Sequence, residues 1–524
     1  MRRTFAIPLL ALVTASLVTT GRPTGSSARP AVPGADFDGD GYADLAIAAP
    51  LEDVLGEEFT RLDAGAVHVL YGTRRGLTAD RSQYWHQDSP GIKGDAANYE
   101  RLGSSLAVAD FDGDGYTDLA AGAAYDTVEG VTFTGSVNVI YGSSAGLTVE
   151  GNQFWHQDVP GVVGEDPGLY DLWGYALAGG DFDGDGYDDL AVGSPFKSSR
   201  GVVDSGYVSV LYGSPTGLTA SGSQAWDQDT AGVRDRIEAQ DGFGSFLAAG
   251  DFDMDGNADL AIGVGHEDVG GIDAAGAVAV LYGRPEGLSS EGNQLWHEDV
   301  PGVPGEADHH EDFGWFSLAV GDWDADGIQD LAVGITGDHV SGMEGAGSIN
   351  ILYGTSTGLS AQDSQLWNQD SQGVKESADA SENFGWDLAS GDFDGDGVDD
   401  LAVGVVAENV EDGAVNVLFG SAGGITAEGD QLWSQDSSGI IDSGEGDWFG
   451  HSVAAGDYGQ GPEDDLAVSA PFESIGDAFY AGAVNVLYGA PSGLTPAGDQ
   501  FWHQDSPGVD ESPEAEDFFG GEVR

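Results

Sequence analysis

The sequence predicts an all-β fold: a seven-bladed β-propeller of four-stranded antiparallel blades, with the ring closed by the C-terminal strand. Three observations carry that expectation. A string of the form D-x-D-x-D-G-x-x-D begins at Asp36, Asp110, Asp181, Asp251, Asp322 and Asp392 and, decayed, at Asp457, at spacings of 74, 71, 70, 71, 70 and 65 residues. Within each copy the apolar period is two, and the short β-branched or aromatic runs are bounded by Gly, Pro and Asp. The element that precedes each aspartate string is absent before Asp36 and reappears at the C-terminus as Phe519, Gly520, Gly521, Glu522 and Val523.

Each element can be placed in order. In the copy around Asp181 the first strand is expected from Trp173 to Gly179, the second from Leu190 to Gly193, the third from Tyr207 to Leu211 and the fourth from Gln224 to Trp226. The first has counterparts in LGSSLAVA from Leu102 and FGSFLAAG from Phe243; the third has them in GAVHVLYG from Gly65 and GAVAVLYG from Gly276. The fourth ends in Q-x-W, which places tryptophan at 85, 155, 226, 296, 367, 433 and 502. Regular recurrence at one strand position points to packing between blades, with carbohydrate stacking as the alternative. A radial array suits such sheets because it leaves only short edges exposed, whereas the rungs of an open solenoid are much shorter.

The chain has 524 residues, with 90 Asp plus Glu against 17 Lys plus Arg, a formal net charge of −73. That field repels phosphate backbones and anionic lipid surfaces, which argues against nucleic acid and leaves metal cations and basic partners. Cysteine is absent, so disulfides, thiolate metal sites and cysteine nucleophiles are excluded. Hydrophobic residues at 40%, with 12 Trp, are enough for a packed core. Residues 1–28 read as an export signal: Arg2 and Arg3, an apolar run from Phe5 to Val18, then small and polar residues. That run is too short to span a bilayer, so a secreted product without membrane insertion is expected, an uncleaved anchor being the alternative. Residues 29–35 read as a flexible leader and 36–524 as one propeller, expected to be monomeric.

The aspartate strings carry the chemistry. Carboxylates at loop positions 1, 3, 5 and 9, a backbone carbonyl at 7 and a turn-forming glycine at 6 suit a hard cation, since Ca²⁺ takes six to eight oxygens. The candidate ligands are Asp36, Asp38, Asp40, Tyr42 and Asp44 in the first loop; Asp110, Asp112, Asp114, Tyr116 and Asp118 in the second; and Asp181, Asp183, Asp185, Tyr187 and Asp189 in the third. They continue as Asp251, Asp253, Asp255, Asn257 and Asp259; Asp322, Asp324, Asp326, Ile328 and Asp330; and Asp392, Asp394, Asp396, Val398 and Asp400, the position-7 residue acting through its carbonyl. About six Ca²⁺ sites are therefore expected. The residue at position 2 is aromatic in every copy and is expected to anchor the loop in the core. Position 12 holds Ile47, Ala121, Val192, Ile262, Val333 and Val403 where an EF-hand needs a bidentate Glu, so these are loops of a different kind. Four carboxylates forced together without a cation would repel one another, which a merely solvated acidic turn does not explain six times over. The seventh loop keeps Asp457 and Asp465 but has Gly459 and Gly461 at positions 3 and 5, and is expected to bind no cation.

A Phe-Gly strand, a D-x-D-x-D-G-x-x-D loop and a following D-L-A-x-G-x-P together resemble the FG-GAP repeat of the integrin alpha-subunit N-terminal propeller and of bacterial secreted proteins. The resemblance runs from Asp36 to Val523. Leu102 and Trp173 depart from it by replacing Phe, and the Gly-Ala-Pro element is lost at Gly334 to Thr336. It implies calcium at one rim and protein ligands across the opposite face, and it names no ligand.

In an up-and-down blade the first and third connections share one face, so the aspartate loops and the short YGxxxGL turns lie together. The variable connections, such as Leu51 to Ala64, Tyr125 to Thr134 and Pro301 to Asp312, lie opposite, and they include the pair His309 and His310. G-x-S-x-G occurs at Gly142 to Gly146 and Gly354 to Gly358, but inside the YGxxxGL turn and without the strand-turn-helix context of a hydrolase nucleophile. Two functions fit. The first is an adhesion or ligand-binding module for an extracellular protein or glycan; the alternative is an extracellular hydrolase of glycans or esters using carboxylates on the variable face. No catalytic residue can be singled out.

Overall fold

The computed structural model describes residues 34–55, 60–408, 412–441 and 446–524. The expected signal, 1–28, and all of the leader except Gly34 and Ala35 lie outside the described residues. Seven four-stranded antiparallel sheets form seven blades. Blade 2 is representative: Ser105–Ala109, Asp118–Ala123, Ser136–Tyr141 and Thr148–Trp155, paired in that order. First strands of neighbouring blades pack against one another around the whole ring and so surround its centre.

Blade 1 is assembled from both ends of the chain. Glu522–Val523 pairs antiparallel with Leu45–Ala49, Ile47 opposite Val523 and Ala48 opposite Glu522, and the sheet continues through Ala66–Tyr71 to Thr78–Trp85. Phe519, with no exposed surface, sits in one apolar cluster with Leu45, Ile47 and Leu70 of blade 1 and Val484 of blade 7. The C-terminal strand therefore closes the ring, as its sequence predicted.

The strands of blade 3 span Ala176–Gly180, Asp189–Gly193, Val208–Tyr212 and Thr219–Trp226. The fourth starts five residues before its predicted start, Gln224, because Thr219 pairs with Tyr212 across a bulge. Its added segment, TASGS, is polar and largely solvent-facing on the outermost strand, so it carries no apolar period to read.

The core lies between blades. One cluster joins Phe37, Val67 and Val69 of blade 1 to Leu106 and Leu119 of blade 2. The glutamine of Q-x-W adds a polar link at every junction. Tyr141 Oη donates to Gln153 Oε1 at 2.8 Å, Gln153 Nε2 donates to the Leu218 carbonyl of the next blade at 3.0 Å, and Leu218 N–H donates back to Tyr141 Oη at 3.1 Å. The same glutamine bond crosses the closing junction, from Gln500 Nε2 to the Leu77 carbonyl at 2.9 Å. Trp155, Trp226 and Trp296 are each 7% exposed. Their indole N–H groups donate to this glutamine, which supports packing over carbohydrate stacking at those positions.

Candidate functional site

Each aspartate string turns between the first and second strands of its blade, beside the turn that joins the third and fourth. In the second loop Asp114 N–H donates to Asp110 Oδ1 at 3.0 Å and Asp112 Oδ1 at 3.2 Å. Gly115 N–H donates to Asp110 Oδ2 at 3.0 Å, and Tyr116 N–H to Asp114 Oδ1 at 3.0 Å. The carboxylates at positions 1, 3 and 5 are thus oriented by the backbone they sit on, and the tight curl requires a left-handed residue at position 6, Gly115 at φ 94°. The pattern recurs in the loops beginning at Asp36, Asp181, Asp251, Asp322 and Asp392. Position 4 is left-handed too. It is glycine in four of the six loops, but Met254 (φ 57°) and Ala325 (φ 59°) hold the conformation without it.

Position 9 plays a different part. Asp118 is fully buried; its Oδ2 accepts Phe111 N–H and its Oδ1 accepts Gly142 N–H of the neighbouring turn, both at 2.8 Å. Asp44, Asp189, Asp259, Asp330 and Asp400 make the same pair of bonds. In the seventh loop, which lacks acids at positions 3 and 5, Asp465 Oδ1 still accepts Gly489 N–H at 2.9 Å. The position-9 carboxylate therefore fastens the loop to its blade whatever else the loop does. Position 2 anchors the other side: Phe37, Phe111, Phe182, Phe252, Trp323 and Phe393 have no exposed surface.

Exposure rises along the loop, from buried position 9 through half-buried position 1 to exposed position 5. Burial first, and then the charges of the other loop aspartates, push Asp118 up to about 9 and Asp44, Asp330 and Asp400 up to about 8. Ligand oxygens of Asp36, Asp38 and Asp40 lie within 4.8 Å of one another, as do those of Asp110, Asp112 and Asp118, of Asp181, Asp183 and Asp189, and of Asp251, Asp253 and Asp255. An all-oxygen, multiply charged set whose buried member resists ionisation fits a hard divalent cation.

Two loops differ. Arg81 Nη2 lies 2.7 Å from Asp38 Oδ2, and Arg284 lies 3.1 Å from Asp253 and 2.6 Å from Asp255. Arg81 occupies the fourth-strand position that is glycine in five other blades, and holds a left-handed φ of 73°. At these two loops a guanidinium already engages carboxylates of the oxygen-donor set.

Sequence reasoning missed position 8. Asp36 N–H donates to Thr117 Oγ1 at 3.0 Å, Asp110 N–H to Asp188 Oδ2 at 2.9 Å and Asp322 N–H to Asp399 Oδ2 at 2.9 Å, so each such loop is tied to the next. The residue type varies among copies, which hid the shared role. On the opposite edge, His309 Nδ1 accepts Asp273 N–H at 3.1 Å and His310 Nε2 lies 3.7 Å from Asp273, and both histidines are exposed. Ser143 Oγ donates to the Gly146 carbonyl inside the first G-x-S-x-G turn, which is an ordinary strand-to-strand turn.

Also on that edge a second glutamine stands two residues after six of the seven tryptophans, and four of these reach a buried acid of the next blade: Gln228 Nε2 to Glu267 at 2.6 Å, Gln369 to Glu408 at 2.6 Å, Gln435 to Glu473 at 3.0 Å and Gln504 to Glu52 at 2.5 Å. Between blades 2 and 3 the acid is replaced by Lys197, which donates to Gln157 Oε1 at 2.8 Å and pairs with Asp171 at 2.7 Å. This series was legible only by aligning the seven copies.

The fold and its rim define a class: a seven-bladed propeller with repeated acidic loops on one edge and divergent loops on the other. The chain carries FG-GAP repeats. The FG-GAP repeat model matches residues 29–70, 102–140, 173–211, 243–281 and 384–418, in five of the seven blades. A phosphatidylinositol-glycan-specific phospholipase D of Rattus norvegicus is 34% identical over 184 residues, 34% of this chain and 20% of that protein. Integrin alpha-PS2 of Drosophila melanogaster is 31% identical over 242 residues, 44% of this chain and 15% of that protein. The aligned segments thus span a fifth or less of these relatives' own length. A solved exotype rhamnogalacturonan lyase, YesX, aligns over 92% of this chain and 82% of that chain at 13% identity and a TM-score of 0.39, too distant to bear on chemistry. Among the described residues no helix is long and apolar enough to cross a membrane.

Proposed function

We propose that this chain is a secreted, calcium-binding propeller that acts as an adhesion or ligand-binding module, meeting an extracellular protein or glycan with the edge opposite its aspartate loops. The observation that carries the reading is the contrast between the two edges: one repeats a single oxygen-donor set, while the other varies from blade to blade. Aspartates at positions 1, 3, 5 and 9 and the position-7 carbonyl would hold the ion, which supplies the charge that lets these carboxylates stay ionised together. The variable edge exposes Leu55, Tyr99, Leu169, Tyr170, Val203 and Phe479. It also carries a run of touching rings in which the half-buried Phe196, Phe316, Trp448, Phe472 and Phe518 are joined through the buried Trp315 and Trp386, and the part of the run that meets solvent is the kind of aromatic surface that protein and glycan partners use. An extracellular hydrolase is the second reading, favoured by one observation: the cleft between blades 4 and 5 on that edge gathers several carboxyl groups.

Calorimetric titration of chelator-stripped protein with Ca²⁺ tests the reading. Two classes of site are expected, the weaker at the loops that hold Arg81 and Arg284, with the loop from Asp457 silent. Saturation stabilises the fold by about 2.7 kcal/mol per site at a hundredfold excess over Kd. A melting temperature indifferent to chelator removes the calcium reading. A glycan-array and pull-down screen with and without Ca²⁺ then separates binder from hydrolase: no binding together with turnover of a glycoside or ester reverses the order.

A further inference from the structure

Six of the seven copies place glutamine two residues after the Q-x-W tryptophan: Gln87, Gln157, Gln228, Gln369, Gln435 and Gln504. The fourth places Glu298 there. Where the glutamine reaches an acid of the next blade, its amide N–H donates a hydrogen bond to that group. Glu298 instead faces more acid. It is 5% exposed, its Oε2 is buried with no hydrogen-bond partner, and it lines a cleft of about 520 Å³ together with Asp308, Glu311, Asp338 and His339.

The cleft also holds a nitrogen donor. Ligand atoms of Asp308, Glu311 and His339 lie within 4.8 Å of one another. Glu311, 2% exposed, is held in place because its Oε2 accepts Asp308 N–H at 2.6 Å. Gly305 makes room for the acid behind: a Cβ there would stand 1.9 Å from Glu298 Oε1. No other described copy of the connection between second and third strands has histidine where His339 stands; the aligned residues are Asp53, Thr127, Ser198, Asp268 and Ser474.

We propose that the cleft between blades 4 and 5 is a divalent transition-metal site, with Asp308, Glu311 and His339 as ligands and the buried Glu298 carboxylate turned toward the ion from within. Imidazole with carboxylates selects ions of the Zn²⁺ class, whereas the all-oxygen loops on the other edge suit Ca²⁺. The site is independent of the rim loops and of any role they have.

The test uses the full chain, without an affinity tag and saturated with Ca²⁺ so that the rim loops are filled. Titration with Zn²⁺, and with Co²⁺ followed by visible absorption, is expected to give one site per chain. His339→Ala, at an exposed position, and Glu298→Gln, which restores the residue of the other six copies, each weaken that site at least tenfold, with circular dichroism and calcium binding unchanged. The double change His309→Ala/His310→Ala leaves it intact. Absence of a stoichiometric site, binding unmoved by either of the first two substitutions, or loss on changing His309 and His310 overturns the proposal.

Discussion

A carboxylate whose two oxygens are both taken by backbone N–H groups is a fastener before it is a ligand. Asp118 is such a group, and Asp114, exposed four residues earlier, is not. Asp118→Ala strands two buried donors, so it should lower unfolding stability by about 2–4 kcal/mol even in excess chelator. Asp114→Ala should cost less than about 1 kcal/mol in chelator, and its effect should appear only when Ca²⁺ is added. Denaturant unfolding of both variants with and without chelator checks this; equal losses under both conditions would refute the distinction. The spacing of the aspartates was fully legible in the sequence. The division of labour among them was not, because acidity at a position does not say which N–H groups will point at it.

At the scale of the element, the edge opposite the loops stores protons. Burial, then the charge of Asp517, pushes Glu52 up to about 9, and burial together with Asp235 does the same to Glu267. Each is ordinarily near 4.5, so the folded chain keeps protons that the unfolded chain releases. Stability is then fullest at low pH and declines as pH rises from about 4.5 toward 9. Scanning calorimetry in chelator should show the melting temperature falling between about pH 5 and 8, and Glu52→Gln with Glu267→Gln should flatten that fall. An unchanged slope in the double variant would assign the effect elsewhere. These acids were invisible to periodicity, since they sit in connections just past the second strand. First, second and third strands were legible because their apolar alternation is strong; the outer strand was legible only at its tryptophan end.

For the whole molecule, ring closure is the feature on which the rest depends. Removing residues 518–524 takes away Phe519 from the junction of blades 7 and 1 and leaves Leu45–Ala49 unpaired on one edge. The truncated chain should melt at least several degrees lower in one transition, and an unchanged melting curve would mean that the ring does not need its closing strand. The repeat count and the displaced C-terminal copy made this architecture readable from the sequence. The links that hold neighbouring blades, Gln153 to the Leu218 carbonyl and Asp110 to Asp188, needed coordinates because their partners lie some 65 and 78 residues apart.

Closure also has a consequence in time. Leu45–Ala49, five buried apolar residues, leaves the ribosome long before Glu522–Val523, the strand that covers its edge. Until Glu522–Val523 has been made, one edge of that strand is bare, water-averse and open to pairing with any other chain. Its proper cover is made in a single copy per molecule, so the closing strand of one copy fits the gap in another that has not yet made its own. Glu522–Val523 thus decides whether each molecule seals itself or is stitched to its neighbour.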